Sequence, residues 1–189
     1  MWSRPRLVRC PAWRPASNGS AISRFILPIP WRAVRRPCRS YSVDGNQTVS
    51  LWVPLDPVVA EVCPKFLAGS HADGKFYVPK RFKTNAAMEG DTSQYEPFDG
   101  VDEVAAKDRL RFWALQPGDA VAFNYKTLHN APPNTSGNRR RAISFRFIGE
   151  DARYALRSHT VSPPYPEMGL KAKHGDKMPE DWFPVVWRG

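Results

Sequence analysis

The stretch LHNAPPNTSGNRRRAISFRF, residues 128–147, carries the residues best suited to chemistry. His129 stands in a proline-rich turn, and eleven residues later Arg140 stands at the head of an apolar, alternating run. An imidazole can ligate a metal, and a guanidinium pairs bidentately with a carboxylate because its planar fork matches the two oxygens. So placed, the two residues can hold a metal and an acidic cosubstrate. A metal needs further ligands, and a literal His-x-Asp occurs at His71-Ala72-Asp73, in GSHADG, 58 residues before His129. On spacing alone, His71, Asp73 and His129 would make an acceptable facial set of two histidines and a carboxylate.

These side chains must be carried by β-structure. TVSLWVPL (48–55) is rich in β-branched and aromatic residues and alternates in part, which predicts a half-buried strand. PKFLAGSHADGKFYV (64–78) reads as two short apolar runs around a glycine-containing turn, a hairpin or strand pair. Residues 80–106 are polar and loop-like, with at most a short helix in FDGVDEVAAKDRL. RFWAL, QPGD and AVAFNY (111–125) give strand, turn and strand. RAISFRFI (141–148) alternates as a strand with one buried face, which puts Arg140 on the side of Ala142 and Ser144 and sends Arg139 and Arg141 to the other. The tail after Tyr154 is punctuated by prolines and is expected to wrap the surface. Short strands at this spacing indicate a sandwich or jelly roll, and no internal repeat is visible.

Composition agrees. The length of 189 residues suits one domain, and Pro outnumbers Gly, 19 to 12, which favours a loop-rich β protein over a helical bundle. No apolar run approaches the roughly 18 residues of a membrane helix. Cys10, Cys38 and Cys63 show no metal-type spacing and read as reduced thiols of a cytoplasmic protein.

The formal net charge of +10 is unevenly spread. Residues 1–43 contain nine Arg and no Lys, Asp or Glu, whereas residues 44–189 hold 19 basic and 18 acidic side chains. The part that carries the chemistry is therefore nearly neutral, and no nucleic-acid motif accompanies the basic part. That leader reads as a targeting segment with too many prolines, as a disordered basic arm, or as the product of a GC-rich gene read out of frame. The third reading fits best, because composition changes abruptly at Asp44.

The order Pro-Gly-Asp, apolar strand, histidine, NAPPN, arginine and strand resembles the phytanoyl-CoA dioxygenase family of iron(II)- and 2-oxoglutarate-dependent oxygenases. QTVSLWVPLD, KFLAGSH, LQPGDAVAFNYKTLHNAPPN and RRRAISFRF carry the likeness, from about Asp44 to about Tyr154. The resemblance implies a double-stranded β-helix (jelly roll), all-β with few short helices, here incomplete at the N-terminus. It implies iron(II) and 2-oxoglutarate as cofactors and hydroxylation of a small organic or acyl substrate, with no nucleic-acid or membrane partner. By the same resemblance His129 is the distal histidine ligand and Arg140 holds the distal carboxylate of 2-oxoglutarate. Trp52 matches an aromatic lining the cosubstrate pocket, although a lone tryptophan is more often a core residue.

The family's own His-x-Asp pair would fall near residues 32–37, where this chain reads RAVRRP, and no histidine precedes residue 71. Two of three iron ligands are therefore not found. His71 and Asp73 belong to a different element of the family pattern, and His159 and His174 lie in the tail. A non-catalytic jelly roll lacking a complete metal site is the alternative reading. If the domain begins near Asp44, limited proteolysis will trim residues 1–40 and leave a resistant core. A leader as protected as the strands would contradict that boundary.

Overall fold

The computed structural model describes residues 40–80, 86–98, 100–102 and 105–187. The Arg-rich leader thus lies outside the described residues, except for its last four positions. Eight strands follow in chain order: β1 (Val43–Asp44), β2 (Thr48–Pro54), β3 (Lys65–Leu67), β4 (Leu110–Arg111), β5 (Val121–Phe123), β6 (His129–Asn130), β7 (Ala142–Ile148) and β8 (Arg153–Tyr154). The helical elements that lie wholly within the described residues are 3-10 turns at Ala60–Val62, Ser70–Ala72 and Lys107–Arg109. No described helix is long and apolar enough to cross a membrane.

Two antiparallel three-stranded sheets face each other, in the orders β5-β2-β7 and β4-β3-β6, and β1 pairs with β8 beside them. β2 is the centre of the larger sheet. Its even-numbered side chains turn inward, and Thr48, Ser50 and Pro54 are buried there. In the register Ser50↔Phe123 and Trp52↔Val121, the inward face of β5 adds Val121 and Phe123. From the opposing sheet come Phe66, Leu67, Leu110 and Leu128, and Val58, Val62, Cys63 and Leu115 complete the buried cluster. The ring centroids of Phe66 and Phe123 lie 4.6 Å apart across the gap between the sheets. A fully buried phenylalanine contributes roughly 1.5–3 kcal/mol relative to an exposed one. The described strands thus form an all-β jelly-roll core, with six strands in the two facing sheets against the eight of a closed double sheet.

Three local expectations are corrected. Residues 64–78 do not form a hairpin. After β3 the chain enters the 3-10 turn at Ser70–Ala72, and Tyr77 instead bridges Glu96, while β3 pairs with β4 and β6. Gly69 and Gly74 both adopt positive φ, so the chain turns twice where a hairpin needs one turn. RFWAL (111–115) is not a full strand: only Arg111 lies in one, closing β4 beside β3, and Leu115 makes an isolated bridge to Val58, whereas AVAFNY supplies β5 beside β2. β7 alternates as expected, yet neither of its faces is buried: Ala142 to Phe147 are all exposed.

The tail does more than wrap. Arg157, its side chain only 4% exposed, donates to the carbonyls of Tyr41 and Val43 and makes a two-pronged pair with Asp44. Residues 158–160 then hold part of the loop-like 80–106 segment. Asp91 N donates to the Ser158 carbonyl, Thr160 N to the Glu89 carbonyl, and Ser158 Oγ to the Asp91 carbonyl. Gly90 sits in this seam at φ +114°, and an added Cβ would lie 2.5 Å from both the Ser158 oxygen and the His159 Cα. Gly90→Ala is expected to cost about 2 kcal/mol or more, through backbone strain and displacement of the tail. Chemical denaturation measures it, and a variant as stable as the parent would show that the seam is not held as described.

Candidate metal and cosubstrate site

His129 reaches the interior because of its register. It stands directly opposite Phe66 in the β3–β6 pair, so both side chains leave the sheet on one face. Its ring lies 5.6 Å from that of Phe66 and 4.9 Å from that of Phe123, so residues of both sheets touch it. Nδ1 is 2.9 Å from the Thr127 carbonyl. A carbonyl only accepts, so Nδ1 carries the proton and Nε2 carries the lone pair in the neutral ring. This is the usual way in which a ligating histidine is oriented.

Arg140 enters from the other sheet, two residues ahead of β7. Ala142 and Ser144 stand opposite Pro54 and Trp52, so strand alternation places Arg140 on the same inward face. Its guanidinium is half-buried and donates through Nη1 to the Val62 carbonyl, next to the buried Cys63. Burial lowers its pKa, and the nearby Cys63 opposes that shift. Among the described residues, no carboxylate is paired with it. Its neighbour behaves differently. Arg141 faces outward and is bonded to Asp56 through its backbone N, Nε and Nη2. The arginine run is thereby sorted: Arg141 is a structural anchor for the start of β7, and Arg140 is the inward cation.

Trp52 is partly buried and packs against the core cluster from β2. By register His129, Arg140 and Trp52 all occupy inward-facing positions. A cleft of about 220 Å³ lies elsewhere, bounded by Asp44, Thr48, Tyr125 and Lys126. It lies at the Thr48 end of β2, while Arg140 lies beyond the Pro54 end, and it touches none of the three residues.

A complete metal centre is not assembled among the described residues, where no group of three or more His, Cys, Asp or Glu side chains is gathered to hold an ion. The substitute set of His71, Asp73 and His129 is therefore not formed. His71 sits in the 3-10 turn after β3, and Asp73 is exposed and accepts from the Lys75 amide. His159 is committed elsewhere: Nδ1 lies 2.7 Å from the Thr160 carbonyl, and Nε2 lies 3.2 Å from the Tyr95 hydroxyl. His174 is exposed. Residues 1–39 contain no His, Asp or Glu at all, so they cannot supply the missing pair. Cys63 is no ready substitute either, because burial pushes its thiol up to about 11.

The jelly-roll core and the order of its elements define the class, and comparison with known proteins agrees. The family model for phytanoyl-CoA dioxygenase matches residues 32–142, more than half of the chain. The chain belongs to the phytanoyl-CoA dioxygenase family. No curated protein matches it by sequence. Among solved structures it is similar to the non-heme alpha ketoglutarate dependent epimerase SnoN from nogalamycin biosynthesis, at 19% identity and a TM-score of 0.54, covering 82% of this chain and 56% of that one. The non-heme alpha ketoglutarate dependent carbocyclase SnoK gives 19% and 0.52, with 80% and 53% covered. SnoN in complex with Fe3+, alpha ketoglutarate and nogalamycin RO gives 20% and 0.54, with 86% and 58% covered. The chain thus spans little more than half the length of the structures it matches, and at this identity they attest the fold.

The arginine sorting has a measurable consequence. The Arg141 bonds hold the Asp56 carboxyl down at about 2, against an ordinary 3.8. A depressed carboxyl pKa adds stability that is fully present above the unfolded value and is lost as pH falls through the folded one. Asp56→Asn should therefore lower the melting temperature at neutral pH, and the difference from the parent should shrink below about pH 3.8 and disappear only once pH has fallen below about 2. Thermal melts across that range check it, and a pH-independent difference would assign the effect to something other than this ion pair.

Proposed function

We propose that this chain is an oxygenase-type jelly roll that keeps the 2-oxoglutarate anchor of its family but only one imidazole of the metal centre. Arg140 is the residue for the distal carboxylate, Trp52 lines the space beside it, and His129 is the retained iron ligand. The observation that carries this reading is Arg140 itself: a half-buried, inward-facing guanidinium with no paired carboxylate among the described residues, whereas Arg141 and Arg157 each have one. A desolvated cation so placed is stabilised by an incoming dicarboxylate.

The cofactors that go with the family are iron(II) and 2-oxoglutarate, and the activity proper to such a scaffold is hydroxylation of a small organic or acyl substrate. The residues present fit the cosubstrate better than the metal. A facial site needs two imidazoles and a carboxylate to balance the charge and fix the geometry of the ion, and cosubstrate chelation fills the positions that those ligands leave open. With His129 as the one matched ligand, iron(II) is held weakly. The absence of any histidine or carboxylate from residues 1–39 favours a second reading, a non-catalytic binding protein on an oxygenase fold.

Anaerobic titration with iron(II) and 2-oxoglutarate tests both. The expected result is 2-oxoglutarate binding that Arg140→Ala weakens, with little or none of the charge-transfer absorption of the chelated metal. Losing one charged, bidentate contact should reduce affinity by about tenfold or more. A full-strength absorption band abolished by His71→Ala would overturn the proposal and make His71 and Asp73 ligands. Binding of 2-oxoglutarate unaffected by Arg140→Ala would remove the anchor role.

A further inference from the structure

In GSHADG it is Ser70, rather than His71 or Asp73, that is fully buried, at 0% exposed. Gly69, at φ +76°, turns the chain after β3 and brings the serine back against the end of that strand. The Ser70 hydroxyl donates to the Leu67 carbonyl at 2.7 Å and accepts from the Leu128 amide at 2.9 Å.

These two bonds complete a rung of the β3–β6 ladder. The register Lys65↔Asn130 and Phe66↔His129 puts Leu128 opposite Leu67 at the next position. In an antiparallel ladder, alternate pairs exchange both of their N–H···O bonds. Leu67 N donates to the Leu128 carbonyl at 2.8 Å, which is the first bond of such a pair. The return bond is routed through Ser70, from the Leu128 N–H to the hydroxyl and from the hydroxyl to the Leu67 carbonyl.

The effect reaches His129 through one peptide plane. The Leu128 N–H and the Thr127 carbonyl belong to the same planar trans peptide, so they point in opposite directions and fixing one aims the other. The Thr127 carbonyl lies 2.9 Å from His129 Nδ1 and accepts its proton. A chain of bonds therefore runs from the imidazole, across the Thr127–Leu128 peptide, to the Ser70 hydroxyl and on to Leu67. Linked bonds of this kind polarise one another inside a protein. We infer that Ser70 is a positioning residue for His129: acting through that peptide, its hydroxyl fixes the imidazole as the Nδ1–H tautomer and leaves the lone pair on Nε2. The inference deepens the reading of His129 as the retained ligand and takes its functional meaning from it.

The test reads the ring itself, in the full chain without iron or 2-oxoglutarate. The imidazole nitrogen chemical shifts are recorded at about pH 8.5, where an ordinary imidazole is neutral. His129→Asn identifies the His129 resonances by their loss. The parent should hold His129 in the Nδ1–H form, whereas an unconstrained histidine in water favours Nε2–H. Ser70→Thr keeps a hydroxyl and should keep the parental tautomer. Ser70→Cys preserves the shape, but a thiol is a weak donor and acceptor, so the Nε2–H form should appear beside the other. Exchange of the Leu128 amide should quicken by about tenfold or more in the same variant. Ser70→Ala should act alike and covers the case in which the thiol does not fit. A parent in the Nε2–H form would overturn the inference before any variant is made. So would a cysteine or alanine variant that keeps the parental tautomer. Loss of that tautomer in Ser70→Thr as well would assign the effect to packing rather than to the hydroxyl, and would overturn it too. Failure of 2-oxoglutarate to bind in the anaerobic titration would remove the functional reading and leave this result untouched, so the two can fail separately.

Discussion

The contact between Phe66 and Phe123 joins two sheets that share no backbone hydrogen bonds. Each sheet has only three described strands, and a sheet of that size is stable only with a buried apolar face. Phe66 is 1% exposed, so the meeting of these rings decides how far apart the sheets lie and which residues can touch between them. His129 is placed by the same contact, since it stands opposite Phe66 in the ladder and touches both rings. The candidate site is therefore part of the core rather than an addition to it, and repacking the core would reposition the imidazole. Strand register fixes side-chain direction more tightly than a loop does.

How much of this was legible in the sequence depended on whether a residue's environment is set by its near neighbours. β2 and β7 were readable from alternation and β-branched residues, and they pair over their full seven-residue lengths. Glycines in the apolar segment 64–78 signal turns without saying whether the chain comes back on itself. Here β3 finds both partners, β4 and β6, far along the chain. The exposure of β7 was not readable either. A period of two distinguishes the two faces of a strand, but whether a face is covered depends on elements elsewhere.

The same division runs through the site. His129 and Arg140 stood out because both lie in one short motif, and alternation alone separated Arg140 from Arg139 and Arg141. The Asp56 partner of Arg141 lies 85 residues away, and nothing near either residue announces the pair. The His71-Ala72-Asp73 motif had the right letters in the wrong element. A 3-10 turn after β3 does not bring it together with His129 as a metal set, and spacing along the chain could not reveal that. The ring of His159 is taken up by Tyr95 and Thr160, an arrangement visible only once the tail has returned to residues 86–95.

That return makes the tail a two-ended staple. Arg157 grips Tyr41 to Asp44, and the next three residues grip the segment around Gly90, so a single stretch closes one loop of 113 residues and another of more than sixty. Loop-closure entropy rises only as the logarithm of length, so once one grip has formed the second closes at little extra entropic cost. The two segments should then open and close together as one cooperative unit.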